Sequence, residues 1–176
     1  MRLSRGSRNS VGKVQTMRIP VDKLDEGVEV ARANAWQLLE DAEHLGSCGS
    51  YGHAIALAML AFEEYAKSGV FRAMKFDPSL RDGESERIAN RDHVSKFMVA
   101  LTGILSTRGQ TITEELKQRI TEIGGNLQSL KERGLYVNYY GGKWLTPQAE
   151  DMRNAAEHTV SETRRLMDEL ERGWPH

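Results

Sequence analysis

From Leu24 onward the apolar residues recur at alternating spacings of four and three: Leu24, Val28, Ala31, Ala35, Leu38, Ala42 and Leu45. Such spacing lays one stripe along a long helix, with Pro20 at its approach and Gly46 as its stop. A second helix begins near Ser50 and runs through HAIALAMLAFEEYAKS to Gly69. It is apolar almost all round as far as Phe62, which marks it as the central, most buried helix. Residues 77–91 are polar, contain a proline and a glycine, and read as a long connection. A third helix is expected from about Asp92 to Leu105. In a fourth, Leu116, Ile120, Ile123, Leu127 and Leu130 repeat the four–three alternation. Gly124 and Gly125 inside it cost about 1 kcal/mol each relative to alanine, which suggests a close helix approach or a kink; Gly134 ends it. The stretch LYVNYYGGKW is β-prone and aromatic, an irregular loop or a tiny hairpin about Gly141 and Gly142. A last helix is expected from Pro147 to about Arg172, with Thr146 as cap and Glu150 and Asp151 at its positive end. No internal repeat and no linker between two cores interrupts this pattern. It predicts an all-α bundle of about five helices, with the short aromatic loop placed before the last.

Composition narrows the class. The chain has 176 residues, 39% hydrophobic and 28% charged, the makeup of a soluble domain with a real core. Its longest apolar run, Ala54 to Phe62, is half of what a bilayer crossing needs, and no secretory signal pattern opens the chain. Cys48 is the single cysteine, so no internal disulfide forms and a cytoplasmic setting with no membrane is expected. It reads as an idle loop thiol. Charge divides unevenly. Arg2, Arg5, Arg8, Lys13 and Arg18 give residues 1–19 a charge of +5 without any acid, which against a total of −1 leaves −6 for residues 20–176. The first 19 residues therefore read as a disordered basic tail, and residues 20–176 as a single domain. A mildly acidic domain excludes an extensive phosphate-tracking surface, so any nucleic-acid contact is local.

Three blocks follow one another in the chain: SYGHAIALAMLAFEEYAKSG, with Glu63, Glu64 and Lys67; DHVSK, with His93 and Lys96; and LKERGLYVNYYGGKWLTP, with Trp144 and Pro147. Together they resemble the AbiV abortive-infection family of the HEPN superfamily, over about residues 22–160. Tyr65-Ala66 stands where a Leu-Gly pair is usual, and the second block lacks a lysine often found after the histidine. The resemblance implies a HEPN-like bundle and bacterial defence against phage. Many HEPN proteins are metal-independent endoribonucleases that dimerise and use Arg, four to six residues, then His on the last long helix.

Two segments match that Arg-to-His spacing, Arg87 to His93 and Arg153 to His158. The second has the tighter form Arg-Asn-three residues-His and falls on the last helix, so Arg153, Asn154 and His158 are the candidate catalytic residues. An imidazole can take or give a proton at neutral pH. Arg153 offers a planar, permanently charged fork for phosphate in the transition state. Asn154 lies one turn before His158 on the same face and can orient the imidazole or a ribose hydroxyl. One histidine cannot conveniently serve as base and acid together, and a two-fold homodimer would bring two copies into one cleft. No metal or cofactor is demanded. Asp41 and His44 form the one Asp/Glu-to-His pair at i,i+3, whereas a carboxylate di-metal site needs two such Glu-x-x-His pairs.

Each remaining candidate has a plainer reading beside the functional one. Glu63 and Lys67 suit an i,i+4 surface pair; alternatively Glu63 or Glu64 borders the cleft and orients Arg153 or His158. His93 and Lys96 either line that cleft or serve as capping and solvated residues. Tyr136, Tyr139, Tyr140 and Trp144 either stack RNA bases or pack the loop onto the bundle. His53, at the start of an apolar helix, reads as structural. The leading expectation is an antiphage endoribonuclease with RNA as substrate, which shuts down translation or growth on infection. The alternative is a non-catalytic HEPN module that binds a phage protein, a host protein or antitoxin, or a nucleotide.

Overall fold

The computed structural model describes residues 19–81, 113–148 and 152–173, together with Lys96, Thr102 and Gly109. The basic tail (except Ile19), Arg87, His93, Glu150 and Asp151 lie outside the described residues. So does the helix expected over 92–105, apart from Lys96 and Thr102, which are helical.

Four long helices and one hairpin make up the described fold: α1 (Leu24–Ser47), α2 (Tyr51–Phe76), α3 (Glu114–Leu135), β1 (Asn138–Tyr140), β2 (Lys143–Leu145) and α4 (Arg153–Gly173). As its all-round apolar sequence predicts, α2 is central and packs against α1, α3 and α4. One core joins Ala35, Leu39 and Ala42 of α1 to Ile55, Met59 and Phe62 of α2 and Ala156, Met167 and Leu170 of α4. Small residues on α1 and α2 let the two backbones approach closely, and the larger side chains fill the space toward α4. A second cluster sets Leu24, Val28 and Ala31 against Val70, Phe71 and Met74. That cluster corrects the expected end of α2 at Gly69. Burying three large side chains outweighs a glycine cost of about 1 kcal/mol, and the helix continues to Phe76. Along α1, Leu39 takes the core position that the spacing assigned to Leu38, which is half-buried. The helix ends at Ser47, one residue past the expected stop at Gly46, in a bend closed by Gly49 at φ +79°.

The aromatic stretch is a hairpin. Tyr140 pairs with Lys143, Tyr139 with Trp144 and Asn138 with Leu145. Gly141 and Gly142 have φ of +58° and +81°, the two left-handed residues that a tight type I′ turn requires.

The last helix starts six residues later than Thr146 and Pro147 suggest. Pro147 and Gln148 form a turn, and α4 begins at Arg153. Pro147 makes a long-range bond instead. Gly52, in the first turn of α2, has a backbone N–H with no intrahelical partner, and it donates to the Pro147 carbonyl at 2.7 Å. Ser50 does not cap α2 with its side chain; its Oγ lies 2.8 Å from Nδ1 of His53 instead. His53 thus bonds within the first turn of α2, and Pro147 supplies the cap.

Gly52 is also where α3 comes closest. A Cβ on Gly52 would lie 2.7 Å from the carbonyl oxygens of both Gly134 and Pro147, and a Cβ on Gly134 would collide with the Gly52 carbonyl. A close approach is found at Gly134; of the Gly124-Gly125 pair, the expected site of a close approach or a kink, the surroundings of Gly124 lie outside the described residues. A Cβ on Gly125 would meet nothing within 4 Å. The two glycines should respond oppositely to alanine. Gly134→Ala should lower the unfolding free energy by about 1–3 kcal/mol, whereas Gly125→Ala should raise it by up to about 1 kcal/mol. Urea denaturation of both variants checks this, and equal shifts of the same sign would contradict the packing.

Candidate functional site at the start of α4

Arg153 is the first residue of α4, and its guanidinium sits 5.2 Å from the ring centroid of the buried Tyr51. A cation at the positive end of a helix is unfavourable by itself. Tyr51 offsets that cost with a cation–π contact of about 0.5–1 kcal/mol at exposed sites. Asn154 and His158 are exposed and lie one turn apart on one face of α4. Arg153 and His158 are five positions apart, which places them about 140° apart around the axis. Within one chain they point different ways.

An open groove of about 450 Å³ runs between the end of α1 and α4, floored by Ala42, Gly46, Ala156 and Val160; Tyr51 lines it and links it to Arg153, while none of the three candidates lines it directly. Arg164 bounds it, with Nε and Nη2 on the two carboxylate oxygens of Glu43 at 2.6 and 2.9 Å and its guanidinium 5.7 Å from the Trp36 ring centroid. Next to His158 on the helix, Glu162 is held below the usual carboxylate range, first by its hydrogen bonds from Arg165 and further by His158.

A second group of charged side chains lies deeper. Glu63 (1% exposed) accepts from Nζ of Lys131 (5%) at 2.8 Å, which ties α2 to α3. Lys67 pairs with Glu64 at 2.6 Å, and Asn34 donates to the other Glu64 oxygen at 3.3 Å. Lys96 is 3% exposed; burial pushes its ammonium below the usual lysine range, with Lys67 adding to the shift. The i,i+4 surface pair expected between Glu63 and Lys67 is thus corrected. Glu63 faces the interior, where Lys131 meets it, and Lys67 takes Glu64 at i,i+3.

A family model described as AbiV, of HEPN type, matches residues 23–168. The chain belongs to the AbiV family. It is therefore an abortive-infection protein of HEPN type. No curated protein and no solved structure matches it. No described helix is long and apolar enough to cross a membrane. Among the described residues no group of three or more His, Cys, Asp or Glu side chains gathers as a metal site would.

In this AbiV protein the candidate residues fall into three places. Arg153, Asn154 and His158 share the exposed start of α4. Glu63, Glu64, Lys67 and Lys96 belong to the inner charged group. Glu63 is twelve residues along α2 from Tyr51, about 18 Å by helix rise, so this group and Arg153 occupy different levels of the bundle. Tyr136, Tyr139 and Trp144 are 62%, 62% and 70% exposed, which overturns the reading that they pack the loop onto the bundle. Tyr140 lies in β1.

Sequence reasoning missed a third polar contact. Tyr65, at the position where the family usually has leucine, donates its hydroxyl to Glu171, which also pairs with Arg32. Burial pushes the Tyr65 phenol up to about 12. The substitution of Tyr65 for leucine was the one available signal, because a buried phenol requires a partner.

Proposed function

We propose that this AbiV protein is a metal-independent endoribonuclease that acts as a homodimer, with two copies of Arg153, Asn154 and His158 facing one cleft. The exposure of all three at the start of α4, where solvent and RNA can reach them, carries this reading. In the reaction His158 of one copy takes the proton of a ribose 2′-hydroxyl, whose oxygen attacks the neighbouring phosphorus. The bond from phosphorus to the 5′-oxygen breaks, and that oxygen takes a proton from the second copy's imidazolium. The products are a 2′,3′-cyclic phosphate and a 5′-hydroxyl. Arg153 holds the non-bridging oxygens as their charge grows, and Asn154 orients His158 or the ribose. The 140° between Arg153 and His158 supports a site completed across a two-fold axis.

Expression in cells gives the first test. Wild type should arrest growth and degrade total RNA, while His158→Ala leaves both intact. Equal protection against phage with intact RNA in both strains would favour instead a module that acts by binding a phage or host protein.

A further inference from the structure

We propose that the hairpin bearing Tyr139 and Trp144 is a stacking platform for single-stranded RNA, which lays a base against Trp144 beside the Arg153 end of α4. The two rings pair across the strands with centroids 5.1 Å apart and planes tilted by 59°, so each stiffens the other while leaving an outer face to solvent. Tyr136 and Val137 extend the exposed apolar surface at the hairpin's base. Clustered exposed aromatic side chains suit recognition, and bases stack on such rings for about 1–3 kcal/mol each.

Three observations favour RNA as the occupant. Residues 133–148 contain Arg133 and Lys143 and no acid, in a region of the chain that is otherwise net negative; Arg133 and Lys143 are both exposed. The hairpin is also rooted at the candidate site. Both of its ends, Gly134 and Pro147, meet Gly52, and the next residue back, Tyr51, carries Arg153. Finally, Trp144 is three residues from Pro147, at most about 11 Å of chain. One short strand can therefore lie on Trp144 and reach Arg153. A duplex hides its base faces, so the platform selects single strands. Binding stands independently of catalysis; the role of presenting a phosphate to Arg153 rests on the ribonuclease reading above.

Fluorescence anisotropy with a labelled ten-nucleotide adenosine RNA tests the platform, in the His158→Ala background so that no RNA is cut. The parent should bind the single strand more tightly than the same strand in a duplex. Trp144→Ala should weaken single-strand binding about 5- to 100-fold, and Trp144→Phe should restore most of it. Circular dichroism and the melting midpoint should stay unchanged for both, since the ring is exposed. Equal affinities for parent and Trp144→Ala, or no measurable binding by the parent, would overturn the proposal. Loss of phage protection in Trp144→Ala without RNA binding by the parent would assign the hairpin to a protein partner. The two readings fail separately. If wild type does not cut RNA while Trp144 still governs binding, the platform stands and the ribonuclease reading falls. If wild type cuts RNA while Trp144→Ala leaves single-strand affinity unchanged, the platform falls and the ribonuclease stands.

Discussion

Replacing Arg153 with alanine should slow RNA cleavage by about 10²–10³-fold and leave the melting midpoint nearly unchanged. The kinetic loss is that of removing one preorganised charge from an oxyanion that develops in the transition state, about 3–4 kcal/mol. The stability term is small because two effects oppose each other. The variant loses a cation–π contact with Tyr51 of about 0.5–1 kcal/mol, and it relieves a cation from the positive end of α4. Arg153→Lys keeps the charge without the planar fork, so it should recover part of the rate. His158→Ala should cost about 10²–10⁴-fold, again without unfolding, because the side chain is exposed. Single-turnover cleavage and thermal melts on the same samples separate the two quantities. A rate that falls only in proportion to lost folded protein would remove Arg153 from the chemistry.

The largest effect on stability should come from Glu63→Gln. It keeps the shape of the side chain but leaves Lys131 without its carboxylate in an interior where Lys96 is also buried. Removing one member of a buried ion pair costs about 3–5 kcal/mol, roughly 10 °C in melting temperature for a chain of this length. The double variant Glu63→Met with Lys131→Met should regain most of that loss, since an apolar pair of similar volume is often as stable. Glu64→Gln should cost under about 1 kcal/mol, because its partner Lys67 is partly solvated. Equilibrium unfolding of the four proteins checks this order. The same variants also test whether Glu63 helps the catalytic residues. At a temperature where Glu63→Gln is folded, its cleavage rate should equal that of wild type, because Glu63 stands about 18 Å along α2 from Tyr51. A lost rate in folded protein would return Glu63 to the cleft.

What was legible in the sequence was what depends on near neighbours. The stripes of α1 and α3, the all-round apolar face of α2 and the Gly141-Gly142 turn are local patterns, and each produced its element. The errors arose where a distant group intervened. Thr146-Pro147 has the local form of a helix start, yet the Pro147 carbonyl caps Gly52, some 95 residues earlier in the chain. Glu63 has a lysine four residues on, yet Lys131, 68 residues away, takes it. Gly125 has open space around it, while Gly134 stands opposite another glycine, a contact that no local pattern marks. Arg153, Asn154 and His158 are candidates on the family resemblance and the Arg-Asn-three residues-His spacing alone. Their setting was not legible, since it depends on Tyr51 and on the groove between α1 and α4. Tyr65 shows the reverse case: a departure from the family's usual residue marked a buried contact with Glu171 that no local rule would pair.

The ribonuclease reading meets its most direct test in the products of a purified reaction. Wild-type protein is incubated with a labelled single-stranded RNA in excess EDTA, and the new ends are analysed chemically beside an identical His158→Ala reaction. The proposed chemistry gives 2′,3′-cyclic phosphate and 5′-hydroxyl ends from wild type, undiminished by the chelator, and intact RNA from the variant. Intact RNA in both reactions, or identical cutting in both, would contradict it.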